Sequence, residues 1–391
     1  MVKHPLHNIA IVGAYNTKQA RSLAAEGWVS ETLLLDAVRG VLNDAGLKPS
    51  DIDGVTATAS PWTASHLIYQ LGIGPSWAGH QLGIMGVLDA AAAINAGLCH
   101  TVLIAGAQAG RYTERESTAP WTRPSNEFVE SWGLFTTAEF ALMARRHMHT
   151  YGTKPEQMAT VAAAIRNNGH RNPGAVYYGR GPFTPADILA SRMIADPYHL
   201  LDCCMTSEGG GAVIVTTAER ARDMKTKAVF ILGGGIERWG PGYHHPPAFD
   251  YDRGRGALGW AGRSAAQRGF GMAGLQPKDV DTCEFYDNFS FELIRQFEAF
   301  GFCGEGEGGD FVMGGTVELG GKYPLCTDGG LMSYSHCSSL TQALQRVIRG
   351  TQQLRGECGA LQVKDAKVSM ISNYGGGALL MDAMLLGNFQ P

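Results

Sequence analysis

A nine-residue segment occurs twice, and this repeat constrains the fold more than any other feature of the chain. Ala45-Gly46-Leu47-Lys48-Pro49-Ser50-Asp51-Ile52-Asp53 returns as Ala273-Gly274-Leu275-Gln276-Pro277-Lys278-Asp279-Val280-Asp281, with seven of nine positions identical or exchanging Ile for Val. Each copy lies between a helical pattern and a strand-like segment, Gly54 to Ala59 in one case and Thr282 to Tyr286 in the other. The contexts agree downstream. In the first half a glycine-rich turn leads into a helical pattern over 83–96 and a strand over 101–106. In the second half Asp328-Gly329-Gly330 leads into a helical pattern over about 339–354 and a strand over 367–372. Ile84, Val87, Leu88, Ala91 and Ile94 share one helical face, and Leu340, Leu344, Val347 and Ile348 share the other. Two copies of an alternating strand–helix unit imply two α/β halves with mixed, buried sheets.

The halves divide near residue 225, giving 1–225 and 226–391. A strand over 212–217 closes the first half and one over 228–233 opens the second. Residues 111–205 read as an insertion in the first half, helical over 137–151 and 155–167. With the loop 239–260 it would roof a site.

Composition excludes several function classes. Hydrophobic residues at 45% and charged residues at 17% describe a globular chain rather than a disordered one. A net charge of −4 without a basic block speaks against nucleic acid and against an anionic membrane surface. No apolar run approaches the roughly 18 residues of a membrane-spanning helix, and the opening Met1-Val2-Lys3-His4-Pro5 lacks the apolar core of a signal peptide. The eight cysteines contain no C-x-x-C spacing, as in a reduced, cytoplasmic protein without a structural zinc of its own. Adjacent Cys203 and Cys204 read as buried neighbours rather than a redox pair. Gly254-Arg255-Gly256-Ala257-Leu258-Gly259 fits G-x-G-x-x-G but follows Pro246-Pro247-Ala248-Phe249, not a strand, which rules out a dinucleotide site. Tyr243-His244-His245 reads as a Pro-bounded loop. The tryptophans at 62, 77, 121 and 132 read as packing or as the lining of an apolar pocket.

The segment from Ala78 through His80 and Gly83 to Gly86 opens the first of the two apolar helices. It resembles the nucleophile helix of the thiolases, where a Cys, followed three residues later by Gly, attacks an acyl thioester. Gly83 fits that Gly, so His80 occupies the Cys position. Further blocks are similar to the sterol-carrier-protein-X type of thiolase and its lipid-transfer-protein relatives. They are Asn167-Asn168-Gly169-His170-Arg171-Asn172-Pro173, Ser191-Arg192-Met193-Ile194-Ala195-Asp196-Pro197, Leu201-Asp202-Cys203-Cys204 with Ser207-Glu208-Gly209-Gly210, Glu284-Phe285-Tyr286-Asp287-Asn288-Phe289, Cys326-Thr327-Asp328-Gly329-Gly330 and Asn373-Tyr374-Gly375-Gly376-Gly377. They span nearly the whole chain in order. The resemblance implies an α/β thiolase fold, with two duplicated βαβ-type halves packed as a five-layer α-β-α-β-α sandwich and a loop insertion in the first half. It also implies a homodimer through the strand near Val102 to Ala107, which would otherwise be an exposed edge.

The departures carry the functional information. His80 replaces the nucleophile Cys, and the family's His-Asp-Cys-Phe reads Tyr286-Asp287-Asn288-Phe289. Gly-His-Pro reads Ser335-His336-Cys337, and the second catalytic Cys is Tyr374. Of the usual catalytic groups only His336 survives. A His at a helix N-terminus would be held neutral by the macrodipole. Without a cysteine, covalent acyl transfer is disfavoured. The site could still bind an acyl thioester and stabilise an enolate oxygen through His336 and backbone N–H groups. A retro-aldol cleavage of a β-hydroxyacyl-CoA fits. Tyr286 and Tyr374 would move the protons, Tyr334 is a reserve, and Asn288 continues the site motif. The turns at Gly329-Gly330 and Gly375-Gly376 would allow close approach of the CoA part of the substrate.

The closest functional resemblance is to steroid side-chain aldolases. It implies a small partner with a zinc ribbon and an OB-fold, in a heterotetramer or larger assembly. No cofactor would be bound covalently, and zinc would reside only in that partner. The rival readings are a Claisen-type acyl-CoA acyltransferase or thiolase using His336 with Cys337 or no covalent step, and a non-catalytic lipid-binding subunit.

Overall fold

The computed structural model describes residues 4–59, 62–110, 136–239, 260–337, 341–373 and 380–391 of the 391-residue chain. The first half runs β1 (Ile9–Asn16), α1 (Ser30–Ala45), β2 (Gly54–Ala59), the short β3 (Trp62–Thr63), α2 (Ala64–Leu71), the short β4 (Trp77–Ala78), α3 (Gly83–Asn95) and β5 (Thr101–Gln108). The described part of the insertion holds α4 (Thr136–Tyr151), α5 (Pro155–Arg171), α6 (Pro185–Ala190) and the hairpin β6 (Met193–Ala195) and β7 (Tyr198–His199). Then come β8 (Gly209–Thr217), α7 (Ala218–Ala221), β9 (Val229–Arg238), α8 (Arg263–Ala273), β10 (Thr282–Glu284), α9 (Ser290–Ala299), α10 (Gly308–Phe311), α11 (Thr341–Arg355), β11 (Val368–Asn373) and β12 (Leu380–Gly387).

Four of the residues kept in the repeat have a backbone role, and the role is the same in both copies. Gly46 and Gly274 end α1 and α8 in the left-handed region, at φ 70° and 66°, a conformation that favours glycine. Pro49 and Pro277 open a 3-10 turn, where the missing N–H is no loss. Asp51 and Asp279 close it, each accepting the N–H three residues upstream at 2.8 Å. Asp53 then accepts the N–H groups of His100 (2.8 Å) and Thr101 (2.7 Å). Asp281 accepts those of Lys367 (2.7 Å) and Val368 (2.9 Å). The last Asp of each copy thus ties the strand it precedes to the parallel neighbour, β2 to β5 and β10 to β11.

The strands form one hydrogen-bonded path, β3-β2-β5-β8-β1-β9-β12-β11-β10, with β4 beside β2. The halves meet at β1 and β9, where Ala10 faces Phe230 and Ile11 faces Val229. The apolar clusters separate the layers. One packs α1 against β1, β2, β5 and β8, and one packs α8 and the Phe-rich segment around α9 against the second set of strands. The central cluster surrounds α3 and α11, which lie side by side and touch strands of both halves. The order helix, strands of the first half, helix pair, strands of the second half, helix is the five-layered arrangement that the resemblance implies.

Two strands are longer than their apolar runs. β8 begins at Gly209 rather than Ala212, and β9 continues through Gly233, Gly234 and Gly235 to Arg238. The glycines are needed there for close approach. A Cβ at Gly209 would stand 1.9 Å from the Gln19 amide, and one at Gly233 would stand 2.2 Å from the Gly269 carbonyl.

The edge expected at Val102 to Ala107 is not an edge. β5 pairs with β2 on one side and β8 on the other, and all eight of its residues are buried. Its run Thr-Val-Leu-Ile-Ala-Gly-Ala is the continuous apolar kind that a strand covered on both faces requires. Among the described residues the sheet ends at β3 and β4 on one side and at β10 on the other. Trp121, Trp132, Tyr243-His244-His245, the 254–259 glycine motif, Leu340, Tyr374, Gly375 and Gly376 lie outside the described residues.

Candidate active site

Two helices begin at the same place. α3 starts at Gly83, and α11 lies so close that a Cβ on Gly83 would stand 2.4 Å from the Ala343 Cβ and 3.0 Å from Asn373 Nδ2. Asn373, the last residue of β11, donates from Nδ2 to the Ala343 carbonyl at 3.1 Å. Gly83 has φ +64°, so both its backbone and its lack of a side chain permit the contact. Each N-terminus brings the positive end of a macrodipole, so negative charge developing between them is stabilised. Gly83→Ala should cost about 2–4 kcal/mol through left-handed strain and overpacking. A denaturant titration checks this. Adding Ala343→Gly should return the overpacking part and leave the strain.

Tyr286 faces this place from the segment after β10 and is buried, at 6% exposure. Its backbone is fixed on both sides. Its N–H donates to Ser372 Oγ at 2.9 Å, and its carbonyl accepts from Gln296 Nε2 at 2.8 Å. Ser372 Oγ donates in turn to Gln296 Oε1. The Tyr286 hydroxyl accepts from Gln342 Nε2 at 3.3 Å. Gln342 belongs to the first turn of α11, and its N–H returns to the Cys337 carbonyl at 3.1 Å.

His336 lies just ahead of α11. Its N–H donates to Ser207 Oγ at 2.7 Å, and Ser207 Oγ is 3.0 Å from Ser335 Oγ. The residue is half-buried, and its Nδ1 is buried. Burial pulls its pKa down to about 4, against the opposing pull of the Met205 carbonyl and the Gln342 side chain. The imidazole is therefore neutral near pH 7, and Nδ1 has no partner among the described residues. Gln342 links the two groups, with a hydrogen bond to Tyr286 and an influence on His336. Over about pH 5 to 8, where an ordinary His titrates, the rate profile should show no ionisation of His336. A limb near 6.5 that vanishes in His336→Gln would contradict this.

The turn ahead of His336 is held from below. Gly330–Tyr334 forms one π-helical turn, a form often found at functional sites. Asp287 Oδ1 accepts the Leu331 N–H at 2.8 Å and Oδ2 the Met332 N–H at 3.1 Å. Arg166 Nη1 donates to the Met332 carbonyl at 3.0 Å. Asn172 Nδ2 donates to the Asp328 carbonyl at 2.9 Å, and Asn168 Nδ2 to that of Leu325 at 3.0 Å. The Asn168–Asn172, Asp287 and Asp328-Gly329-Gly330 blocks, far apart in sequence, are one contact. The two glycines belong to it. A Cβ at Gly329 would stand 2.5 Å from Gly169 Cα, and one at Gly330 would stand 2.0 Å from Asp287 Oδ2.

Beneath this turn Arg346 makes a two-pronged bond to Asp328, at 2.9 and 2.7 Å, with Glu284 at 3.7 Å. Thr327 Oγ donates to Glu284 at 2.5 Å and accepts from Arg349 Nε and Gln353 Nε2, each at 2.8 Å. Burial raises Asp287 to about 6. Burial and the Asp328 charge raise Glu284 to about 7. Burial works against the Arg346 charge, but the facing acids outweigh it and raise that pKa.

The remaining candidates are placed as follows. His80 is exposed and precedes the first residue of α3 by three positions, outside the N-cap Leu82. Asn288 is buried, with Oδ1 accepting the Phe289 N–H at 3.1 Å and Nδ2 without a partner among the described residues. Tyr334 is buried and lines a cavity with Arg349 and Asn16. All eight cysteines are unpaired, and burial raises the pKa of every one, that of Cys337 to about 12. Among the described residues no cluster of three or more His, Cys, Asp or Glu side chains could hold a metal ion, and no helix is long and apolar enough to cross a membrane. Sequence reasoning missed Gln342, Ser207, Gln296 and the ion cluster around Arg346.

Known proteins resemble this chain in sequence and fold. Residues 257–388 match the thiolase C-terminal domain-like family. A steroid side-chain-cleaving aldolase of Thermomonospora curvata is 34% identical over 348 residues, covering 82% of this chain and 85% of that protein. A 17-hydroxy-3-oxo-4-pregnene-20-carboxyl-CoA lyase of Mycobacterium tuberculosis is 33% identical over 344 residues, covering 83% and 86%. The solved structure of an Ltp2-ChsH2(DUF35) aldolase superposes with a TM-score of 0.83 at 29% identity, over 97% of this chain and 98% of the other. The chain belongs to the steroid side-chain aldolase family of thiolase-fold carbon–carbon lyases.

Proposed function

We propose that the chain cleaves a β-hydroxyacyl-CoA with a bulky, polycyclic acyl group by a non-covalent retro-aldol reaction. The observation that carries this reading is the state of the thiols. Each of the eight cysteines is held protonated at neutral pH, and none stands at position 80 or 374. A thiolase needs a thiolate. What the site offers instead is a tyrosine hydroxyl, a neutral imidazole and two helix N-termini.

In the reaction a base takes the proton of the β-hydroxyl. The Cα–Cβ bond breaks, its electron pair passes to Cα as the thioester enolate, and an acid returns a proton to Cα. A ketone or aldehyde and a shortened acyl-CoA leave. Tyr286 is assigned one of the proton transfers and Tyr374 the other. His336, with its unpartnered Nδ1, and the N-termini of α3 and α11 stabilise the enolate oxygen. Asn288 and His80 are assigned to the substrate-facing surface. CoA enters as part of the substrate.

The solved Ltp2 relative is an aldolase together with ChsH2(DUF35). By that likeness we assign this chain a small zinc-ribbon and OB-fold partner that helps to bind CoA, in a heterotetramer or larger assembly. The zinc would belong to that partner. The unpaired thiols fit a cytoplasmic enzyme.

Iodoacetamide separates this reading from an acyl-cysteine mechanism. At neutral pH it should leave the lyase activity intact, because no thiolate is available. Inactivation that substrate prevents, with label on Cys337, would restore the acyltransferase reading.

A further inference from the structure

A cavity of about 450 Å³ lies on the far side of the π turn, between the end of β1, the segment after α5 and the last turns of α11. Its walls carry polar groups that bond to no other described residue. Arg349 is 6% exposed and places Nε and Nη2 on Thr327, both at 2.8 Å. Among the described residues its Nη1 and the Tyr334 hydroxyl have no hydrogen-bond partner, and of the cavity's other polar atoms Asn16 Oδ1, an acceptor, is buried without one. Lys18, at the rim, is held by Glu26 at 2.5 Å. The carboxylate in the wall, Asp328, faces Arg346 with both oxygens and so brings little free negative charge. Tyr334 remains a protonated donor, because burial and the nearby Asp328 raise its pKa. What is left is one permanent positive charge, on Arg349, and one hydroxyl donor, on Tyr334, in the lining of the same cavity. A buried guanidinium that ends in a cavity is suited to a planar or tetrahedral oxyanion, which it binds by charge-assisted hydrogen bonds.

We propose that this cavity is a second ligand site that holds a small oxyanion, a carboxylate or a phosphate group, on Arg349 Nη1 with the Tyr334 hydroxyl as second donor. The site is independent of the retro-aldol reading. Calorimetric titration of the full-length chain with inorganic phosphate, and separately with acetate, at constant ionic strength tests it. One of the two should bind saturably with one-to-one stoichiometry. Tyr334→Phe, which removes a hydroxyl bonded to no described residue, should weaken that binding at least tenfold. Arg349→Gln should abolish it, with circular dichroism verifying the fold, since Arg349 also anchors Thr327. Preference for phosphate assigns a phosphate-bearing ligand, and preference for acetate a carboxylate. No saturable binding to the wild-type chain, or equal affinity in Tyr334→Phe, would overturn the site.

Discussion

Replacing Tyr286 with Phe is expected to lower kcat for carbon–carbon cleavage by about 10²–10⁴-fold, the range typical of a lost general acid or base. The backbone that carries the ring stays held, because its bonds to Ser372 and Gln296 do not involve the hydroxyl. Losing the hydroxyl removes an acceptor from Gln342 Nε2. That should reduce stability by only about 1 kcal/mol. KM should therefore change little and the melting temperature only slightly. This separation of kcat from stability distinguishes a proton-transfer role from a packing role. A Tyr286→Phe enzyme with wild-type kcat would remove Tyr286 from the mechanism.

Arg346→Met should be the most damaging change outside the reacting groups. It leaves Asp328, Glu284 and Asp287 buried together without the cation that faces them. Breaking a buried pair by removing one partner costs about 3–5 kcal/mol. Because Asp287 and Asp328 hold the turn that leads to His336, activity should fall together with stability. Guanidinium denaturation checks the stability, and Arg346→Met with Asp328→Asn should recover part of the loss. The same cluster sets a pH dependence. Folding raises Glu284 from 4.5 to about 7 and Asp287 from 3.8 to about 6. A carboxyl whose pKa rises on folding binds its proton more tightly in the native state. Its stabilising contribution is full below the unfolded pKa and fades as pH climbs through the native value. Wild-type stability should decline on this account between about pH 4 and pH 7, and Glu284→Gln should flatten the upper part of that decline.

Much of the fold was legible in the sequence, because the repeat is made of residues whose backbone roles cannot be exchanged. A left-handed glycine, a proline at a first turn and two capping aspartates mark the same corner twice. Strand order was less legible. The run Thr101–Gln108 says that a strand is covered on both faces, but which neighbours cover it is decided by residues 54–58 and 209–216, far along the chain. At the site, Tyr286 and His336 were visible because they replace or keep residues of recognisable motifs. Gln342 and Arg346 were not. The helical period of α11 reveals its apolar face, whereas its polar side chains are buried as well, against groups brought from residues 284–287 and 327–328. A single Gln on a helix carries no signal of its own until the partner is in place. The glycines at 329 and 330 were read for substrate approach, and the space beside them is filled by Gly169 and Asp287.

The central claim is that bond cleavage here proceeds without an acyl-cysteine. The most direct test offers the chain, with a zinc-ribbon partner, a β-hydroxyacyl-CoA and, separately, a β-ketoacyl-CoA with free CoA, and follows products by mass spectrometry. We expect a ketone or aldehyde and a shortened acyl-CoA from the first, nothing from the second, and no mass increase on any cysteine. Thiolytic cleavage of the second substrate with an acylated cysteine would contradict the account.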